Sequence, residues 1–202
     1  MTALRHLSLG GMVLALTVLP GVGVAAAGPL DAPGYAKAFA CSACHGFAGN
    51  SRSETVPVLA GMPAWYLKKA IEDYAAGKRP AAEMEPYAKM VKELGVDDVA
   101  GYFAAQTKGA SPLAADAAAV ARGRTAAAPC VSCHGPAGKG DPAKGVPDLT
   151  GQPAGYLRNQ MLLFKADQRS PGDAALRELK AVIRPIPEAT LADIAAYYSS
   201  LK

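Results

Sequence analysis

The pentapeptide Cys-x-x-Cys-His occurs twice in this chain of 202 residues, at 41–45 and at 130–134. The two copies contain all four cysteines and two of the three histidines. Two thiols at this spacing can each form a thioether to a porphyrin, and the adjacent histidine can then bind the iron. The motif therefore predicts two covalently bound haem c groups. The predicted thioether residues are Cys41, Cys44, Cys130 and Cys133, and the predicted iron ligands are His45 and His134.

Other uses of paired cysteines fit this chain poorly. A zinc site needs four ligands on one ion, and paired knuckles usually lie closer than the 89 positions that separate the two copies. A thioredoxin-like motif follows a strand in a βαβ pattern, and no strand-rich stretch precedes either copy. A structural disulfide does not require a histidine beside it in both copies. Haem attachment is therefore the interpretation that the motif favours.

The first 27 residues have the form of a secretory signal peptide. Arg5 and His6 give a basic start, residues 7–19 are an apolar run, and the alanines at 25–27 offer a cleavage site. An uncleaved anchor is the alternative, but the run is shorter than the ~20 residues of a membrane span. We expect a bacterial periplasmic protein without stable membrane insertion after cleavage, because bacteria attach haem c outside the cytoplasm.

The charge and composition also narrow the class of protein. The formal net charge is +4, no run of Lys or Arg occurs, and the carboxylates of two haems would offset this excess. Nucleic acid is therefore not an expected partner. Only 6% of the residues are aromatic, so a small domain would lack large side chains for its core. A buried porphyrin would supply that apolar bulk.

The chain repeats itself at a nearly constant spacing. Residues 56–64 resemble 146–154 at an offset of 90, and 99–103 resemble 194–198 at an offset of 95. We predict two tandem units, at 28–106 and 114–202, joined by a Gly- and Pro-containing linker at 107–113. The offsets place five extra residues in the second unit just before its last helix.

Each unit shows helical periodicity and no alternating strand pattern, which predicts an all-α fold. Apolar residues recur at three- and four-residue steps in two matching segments, 63–76 and 153–166. Opening helices are expected at 34–40 and 114–127, and closing helices at 96–106 and 187–201.

A count of the histidines and methionines limits which residues can occupy the sixth coordination position of each iron. Outside the predicted signal peptide no histidine remains beyond the two motifs, so bis-histidine ligation within this chain is excluded. A methionine thioether is the other common ligand, and it raises the reduction potential. The methionines outside the signal peptide are Met62, Met84, Met90 and Met161.

The order of motifs resembles that of the bacterial periplasmic dihaem class I cytochromes c of the c4 type. The order is Cys-x-x-Cys-His-Gly, Pro-x-Leu-x-Gly, Tyr-Leu, Met-x-Pro and a closing Ala-x-Tyr-Phe or related sequence. The resemblance implies two class I cytochrome c domains in tandem, each wrapped around one covalently attached haem. It implies that Met84 binds the first iron, with Met90 as a competitor and core filling as the alternative role of either. It also implies that the carbonyls of Pro57 and Pro147 accept a hydrogen bond from the proximal histidines.

The second half departs from the family pattern. Leu179 stands where the alignment from the closing helix places the methionine, and leucine cannot bind iron. Met161 matches Ile71 within an amphipathic helix, so we expect it to be a core residue. Lys180 could bind iron if deprotonated, although a solvated surface lysine is the default expectation. An open or water-bound position on the second haem remains the third possibility.

The sequence thus predicts a periplasmic electron carrier rather than an enzyme, working between oxidase, reductase or dehydrogenase partners. Two alternatives stay open: a haem protein that uses an open second haem for peroxide or a small gas, and the cytochrome subunit of a larger dehydrogenase. The basic residues available for partner docking are Lys68, Lys69, Lys78, Arg79, Lys139 and Lys144.

Overall fold

The computed structural model describes residues 28–202, and the predicted signal peptide at 1–27 lies outside the described residues. The described part of the chain is helical, with a single isolated bridge between Asp141 and Val146 in place of any strand. The all-α prediction is therefore confirmed. None of the helices at 28–202 has the length and apolar character that crossing a bilayer requires.

Five α-helices follow one another in the first unit, and five more repeat their order in the second. The first set is α1 Tyr35–Ala38, α2 Ser42–His45, α3 Ala64–Ala75, α4 Glu85–Leu94 and α5 Val96–Ala104. The second set is α6 Ala117–Ala126, α7 Val131–His134, α8 Ala154–Lys165, α9 Arg177–Ile183 and α10 Glu188–Ser200. Residues 107–113 between the sets contain no helix.

The two opening helices differ in length for a local reason. The side chain of Asp116 accepts hydrogen bonds from the amides of Ala118 and Ala119, which caps the ten-residue helix α6. Helix α1 has only four residues, lacks a side-chain cap and continues as a 3₁₀ turn at Phe39–Cys41. The expected helix at 34–40 is thus shorter than its counterpart.

Each unit has its own apolar core. The first is formed by Ala38, Met62, Leu67, Val91, Val99, Ala100, Tyr102 and Phe103. The second is formed by Ala127, Tyr156, Leu157, Ile183, Leu191, Ile194, Ala195 and Tyr198. The first cysteine of each Cys-x-x-Cys-His motif packs against the core of its own unit. Each attachment site therefore belongs to a separate core.

Buried hydrogen bonds join the two units. The amide of Val58 donates to Oε1 of Gln152 over 3.0 Å, and Nε2 of Gln152 donates back to the Val58 carbonyl over 2.8 Å. The amide of Ser170 donates to the carbonyl of Lys78 over 2.6 Å. Packing of the two units shields these backbone groups from water, so each needs a partner within the protein. The hydrogen bonds therefore specify which residues of the two units meet.

The offset in residue number between matching positions of the two units increases in two steps. The matching buried residues of α4 and α9 are Ala88 and Val91 in the first helix and Lys180 and Ile183 in the second, 92 positions apart. Two extra residues therefore precede α9, and three lie between α9 and α10. The expectation of all five just before the last helix is wrong in this respect.

A glycine permits the close crossing of α6 and α10. A Cβ atom on Gly123 would lie 1.9 Å from the carbonyl oxygen of Asp193, so no larger residue fits without moving a helix. The neighbouring Arg122 makes two 2.8 Å hydrogen bonds to the Asp193 carboxylate. This crossing holds the opening and closing helices of the second unit together.

We expect Gly123→Ala to lower the free energy of unfolding of the second unit by about 2–3 kcal/mol, because the added methyl forces the helices apart. Gly101→Ala is the matched control, since Gly101 is an exposed helical residue with nothing within 4 Å of a built Cβ. It should raise stability by about 0.5–1 kcal/mol through helix propensity. Denaturant unfolding of both holoproteins measures the two effects, and equal stabilities would contradict the crossing argument.

Candidate haem sites and the boundary between the units

The two Cys-x-x-Cys-His motifs adopt the same local structure. Each begins in a 3₁₀ turn, at Phe39–Cys41 and Ala128–Cys130, and continues into α2 and α7. The helical backbone brings the two cysteines of each motif to one face, three residues apart. No disulfide joins cysteines within residues 28–202, and the second cysteine of each motif is exposed. The arrangement suits thioether bonds from both cysteines of each motif.

No group of three or more potential metal-ligating side chains is assembled anywhere in residues 28–202. Zinc would need such a group of Cys, His, Asp or Glu around one ion. The motifs are therefore suited to a ligand that brings its own in-plane donors, as a porphyrin does.

Both proximal histidines are oriented by a proline carbonyl. Nδ1 of His45 lies 2.8 Å from the carbonyl oxygen of Pro57, and Nδ1 of His134 lies 3.1 Å from that of Pro147. Because a carbonyl only accepts, the proton belongs on Nδ1 and the Nε2 lone pair is free for a metal. Burial lowers the pKa of both imidazoles, although the proline carbonyls oppose this. The neutral form that binds iron is therefore favoured.

The three methionines of the first unit occupy different environments. Met62 is buried in the core, where its sulfur lies 3.4 Å from Nε2 of Gln152. Met90 is 37% exposed on α4, so it does not fill the core. Met84 is half-buried and immediately precedes α4. Among the three, Met84 combines partial burial with the position that the family pattern requires.

The second unit places leucine at the corresponding position. Leu176 immediately precedes α9 as Met84 precedes α4, so Leu176 and not Leu179 is the structural counterpart of Met84. Leu179 packs against the second core. Neither side chain has a donor atom. The helix starts match Met84 to Leu176 and the sequence matches it to Leu179, so the departure of the second unit stays a prediction in either case.

Met161 packs against the second core from α8. Ile71, its match in α3, packs against the first core in the same way. This placement suits the core role that the sequence indicates for Met161.

Lys180 is not the solvated surface lysine that the sequence suggested. It is only 6% exposed, and its Nζ donates to Oδ1 of Asp167 and to the carbonyl of Ser170, each over 2.6 Å. It occupies the place of the buried Ala88 in the first unit. The ion pair with Asp167 and the bond to the Ser170 carbonyl offset the desolvation of the Lys180 amine. This amine is therefore already hydrogen-bonded and is not a free ligand.

Two arginines are buried at the boundary between the units. Nη2 of Arg79 donates to the hydroxyl of Tyr156 over 2.5 Å, and Nη2 of Arg169 donates to the hydroxyl of Tyr66 over 3.3 Å. Both guanidiniums also donate to Oε1 of Gln160, over 3.0 and 2.8 Å. Each arginine therefore bonds a tyrosine of the other unit. Arg79, expected on a docking surface, is instead 1% exposed.

These two charges have no carboxylate partner among the described residues. Arg79 lies 4.5 Å from the ring centre of Tyr74 and Arg169 lies 4.4 Å from that of Phe164, which compensates only part of their desolvation. Nε of Arg169 is buried without a hydrogen-bond partner. An anionic group at this boundary would supply the counter-charge and the hydrogen-bond acceptor that the two guanidiniums lack.

The pKa of Tyr66 reports the same excess of positive charge. Burial alone would raise this pKa, but the positive charges of Arg169 and Arg79 outweigh burial and lower it. The carboxylates that haems carry are the anions expected in such a protein. The paired cysteines and the free Nε2 atoms fit a c-type haem in each unit.

Most of the lysines that the sequence offered for docking are paired. Lys68 pairs with Asp97, Lys69 with Asp73, Lys139 with Asp148 and Lys144 with Asp141. Lys78 is exposed and makes no ion pair within residues 28–202.

Comparison with known proteins agrees with this arrangement. The cytochrome c family matches twice, at residues 33–105 and 120–202. Cytochrome c4 of Pseudomonas aeruginosa is 34% identical over 197 residues, which cover 94% of this chain and 98% of the relative. A thiosulfate dehydrogenase electron acceptor of Stutzerimonas stutzeri is 31% identical over 183 residues, covering 81% of this chain and 80% of the relative. The crystal structure of reduced cytochrome c4 from Pseudomonas stutzeri matches with a TM-score of 0.72 at 28% identity, over 84% of this chain and 97% of that one.

The predicted tandem of class I cytochrome c domains, the two haem c groups and the electron carrier are confirmed by these matches. The interpretation as an enzyme is set aside. The chain belongs to the cytochrome c family and is a dihaem electron-transfer cytochrome of the c4 type.

Proposed function

We propose that this protein is a periplasmic carrier that takes electrons from a dehydrogenase and passes them between two unlike haem sites. Bound haem supplies the reversible ferric–ferrous couple, and the chain contributes ligands, burial and charge. The observation that supports the proposal is that Leu176 precedes α9 as Met84 precedes α4, while a proline carbonyl lies beside the proximal histidine in both units. The signal-like residues 1–27 support export.

In the first unit, His45 would bind the iron through Nε2, with the Pro57 carbonyl holding its ring. Met84 would provide the thioether on the opposite side. A thioether stabilises ferrous iron and raises the reduction potential, which suits the haem that receives electrons from the other haem of the carrier.

In the second unit, His134 would be the sole strong protein ligand. Leu176 and Leu179 lack a donor, Met161 packs against the core, and the amine of Lys180 is held by Asp167. The sixth position would then be open or taken by water. Because this unit lacks the thioether, we expect it to have the lower potential and to pass electrons toward the first unit.

At the boundary, Arg79 and Arg169 would bind the haem carboxylates, together with the hydroxyls of Tyr66 and Tyr156. The unpartnered Nε of Arg169 supports this role. Guanidinium–carboxylate bonds are short, charge-assisted and often bidentate, so they would also hold the units in register. The added negative charge would return the pKa of Tyr66 toward its ordinary value.

A dehydrogenase is the proposed electron donor because two of the similar proteins are named thiosulfate dehydrogenase electron acceptors. A second candidate role is binding of a small gas at the open position of the second unit, which Leu176 leaves without a protein ligand.

The proposed ligands predict how many carbon monoxide molecules bind. The reduced protein should bind one per two haems, and Met84→Ala should raise this to two because it frees the first iron. Met90→Ala is the matched control and should leave one, since Met90 is exposed on α4. Optical titration of the reduced protein measures the stoichiometry. A wild-type protein in which neither haem responds would overturn the open second site.

The buried arginines predict a shift in potential. Arg169→Gln removes a cation that favours the ferrous form, so one midpoint potential should fall by roughly 40–90 mV, equivalent to about 1–2 kcal/mol. Arg124→Gln removes an exposed cation of the same unit and should leave both potentials nearly unchanged. Spectroelectrochemical titration gives both values. Equal shifts in the two variants would contradict a role of the boundary in binding the carboxylates.

The proposed donor can be tested with purified components. A thiosulfate dehydrogenase supplied with thiosulfate should reduce this protein at least about tenfold faster than thiosulfate alone, because the enzyme lowers the barrier to oxidation. Stopped-flow absorbance of the haems follows the reduction. Equal rates with and without the enzyme would refute this partner. Co-purification with a dehydrogenase would identify the protein as a bound subunit instead of a free carrier.

A further inference from the structure

Two clefts lie on either side of the loop that precedes α9. One, of about 510 Å³, lies between that loop and α9, within the second unit. The other, of about 230 Å³, lies between that loop and the first unit, near Lys78. Gly172 and Asp173 line both clefts, which together are here called the cationic groove.

Helix α9 contributes three cations to the wall of this groove. Arg177, Lys180 and Arg184 lie at three- and four-residue steps, which puts them on one face of the helix. Lys180 is neutralised by Asp167. Arg177 and Arg184 are exposed and make no ion pair among residues 28–202. Their charges are therefore available to an incoming group.

The acidic residues of the groove are largely engaged. Asp167 holds Lys180, and Asp73 holds Lys69. The side chain of Asp173 accepts a hydrogen bond from the amide of Ala175 over 2.9 Å. With these pairs set aside, the cations Lys78, Arg177 and Arg184 face one carboxylate, so the groove has a net positive charge.

The groove differs from an ordinary solvated face in two respects. Four of the surface lysines considered for docking are neutralised by their own carboxylates, whereas these three cations are not. Arg177 and Arg184 line the cleft of the second unit, and Lys78 lines the cleft to which both units contribute. One inorganic anion would contact the cations of a single cleft, whereas an extended chain reaches those of both.

The inner face of α9 connects the groove to the second haem site. Ile183 and Leu179 pack against the core cluster against which Cys130 also packs. A group in the groove would thus lie about one helix diameter, ~10 Å, from that core. Docking here would place a partner beside the second haem.

We propose that the cationic groove docks an acidic, Asp- or Glu-rich segment of a redox partner, at the boundary of the two units and over α9. The proposal rests on the proposed function, since it names the class of surface that a donor protein would present. Arg177 and Arg184 provide forked donors for carboxylates, and Lys78 extends the contact onto the first unit. Such complementarity speeds association and makes it sensitive to salt.

The test uses the oxidised holoprotein and a synthetic oligoglutamate peptide at low ionic strength. The double variant R177E/R184E should weaken binding by about tenfold or more, because attraction becomes repulsion. The matched control is K92E/R124E, which reverses two exposed cations outside the groove. It should change affinity by less than about twofold. Isothermal titration calorimetry gives both dissociation constants.

Three results would overturn the proposal. The first is an absence of peptide binding to the wild-type protein. The second is an equal loss in the control variant, which would show attraction to overall charge only. The third is sulfate binding in the groove as tightly as the peptide and in competition with it, which would make the groove a small-anion site. Since this assay involves no electron transfer, its failure leaves the carrier proposal standing, and failure of dehydrogenase-driven reduction leaves the groove result standing.

Discussion

Arg79 and Arg169 place two positive charges inside the boundary between the units, and no carboxylate side chain within residues 28–202 neutralises them. Tyrosine hydroxyls and one glutamine oxygen satisfy some of their donors but carry no formal charge. A protein interior tolerates such an arrangement when a counter-anion completes it. If the haem carboxylates supply that anion, as proposed above, the cofactors would stabilise the arrangement of the two units as well as provide the redox chemistry.

The crossed pattern of these bonds links the two halves electrostatically. Each arginine reaches a tyrosine of the opposite unit, so a change of charge in one unit acts on buried groups that belong to the other. The reciprocal hydrogen bonds between Gln152 and Val58 fix the same boundary through the backbone. In a dihaem carrier, this rigidity would keep the separation of the two redox centres constant.

The second unit differs from the first in the segment that forms α9. Leu176 precedes α9 as Met84 precedes α4, and Lys180 is buried in α9 where α4 buries the small Ala88. The lysine reaches Asp167 and Ser170, and both of these residues adopt positive φ angles that side chains rarely favour. The same loop contacts the first unit through Ser170. This segment is thus tied to the boundary and contributes a wall of the cationic groove.

The sequence by itself determined the covalent chemistry, the all-α class and the tandem repeat. Cysteine spacing and helical periodicity read directly from residues close together in the chain, and the repeat reads from matching segments at offsets of 89 to 95. Counting alone excluded bis-histidine ligation within the chain and left four methionines. Only the resemblance to a family singled out Met84, and its match in the second half depends on where the gap in the repeat lies.

Only the tertiary structure decided where the long polar side chains lie. Arg79 and Lys180 read as solvated residues in the sequence, since Lys and Arg are almost always exposed. Each is buried because partners 77 and 13 positions away in the chain receive its hydrogen bonds. The bond from Arg79 to Tyr156 exists only once the two units have packed together, and that from Lys180 to Asp167 requires the folded second unit, because neither pair is formed by neighbours in the chain.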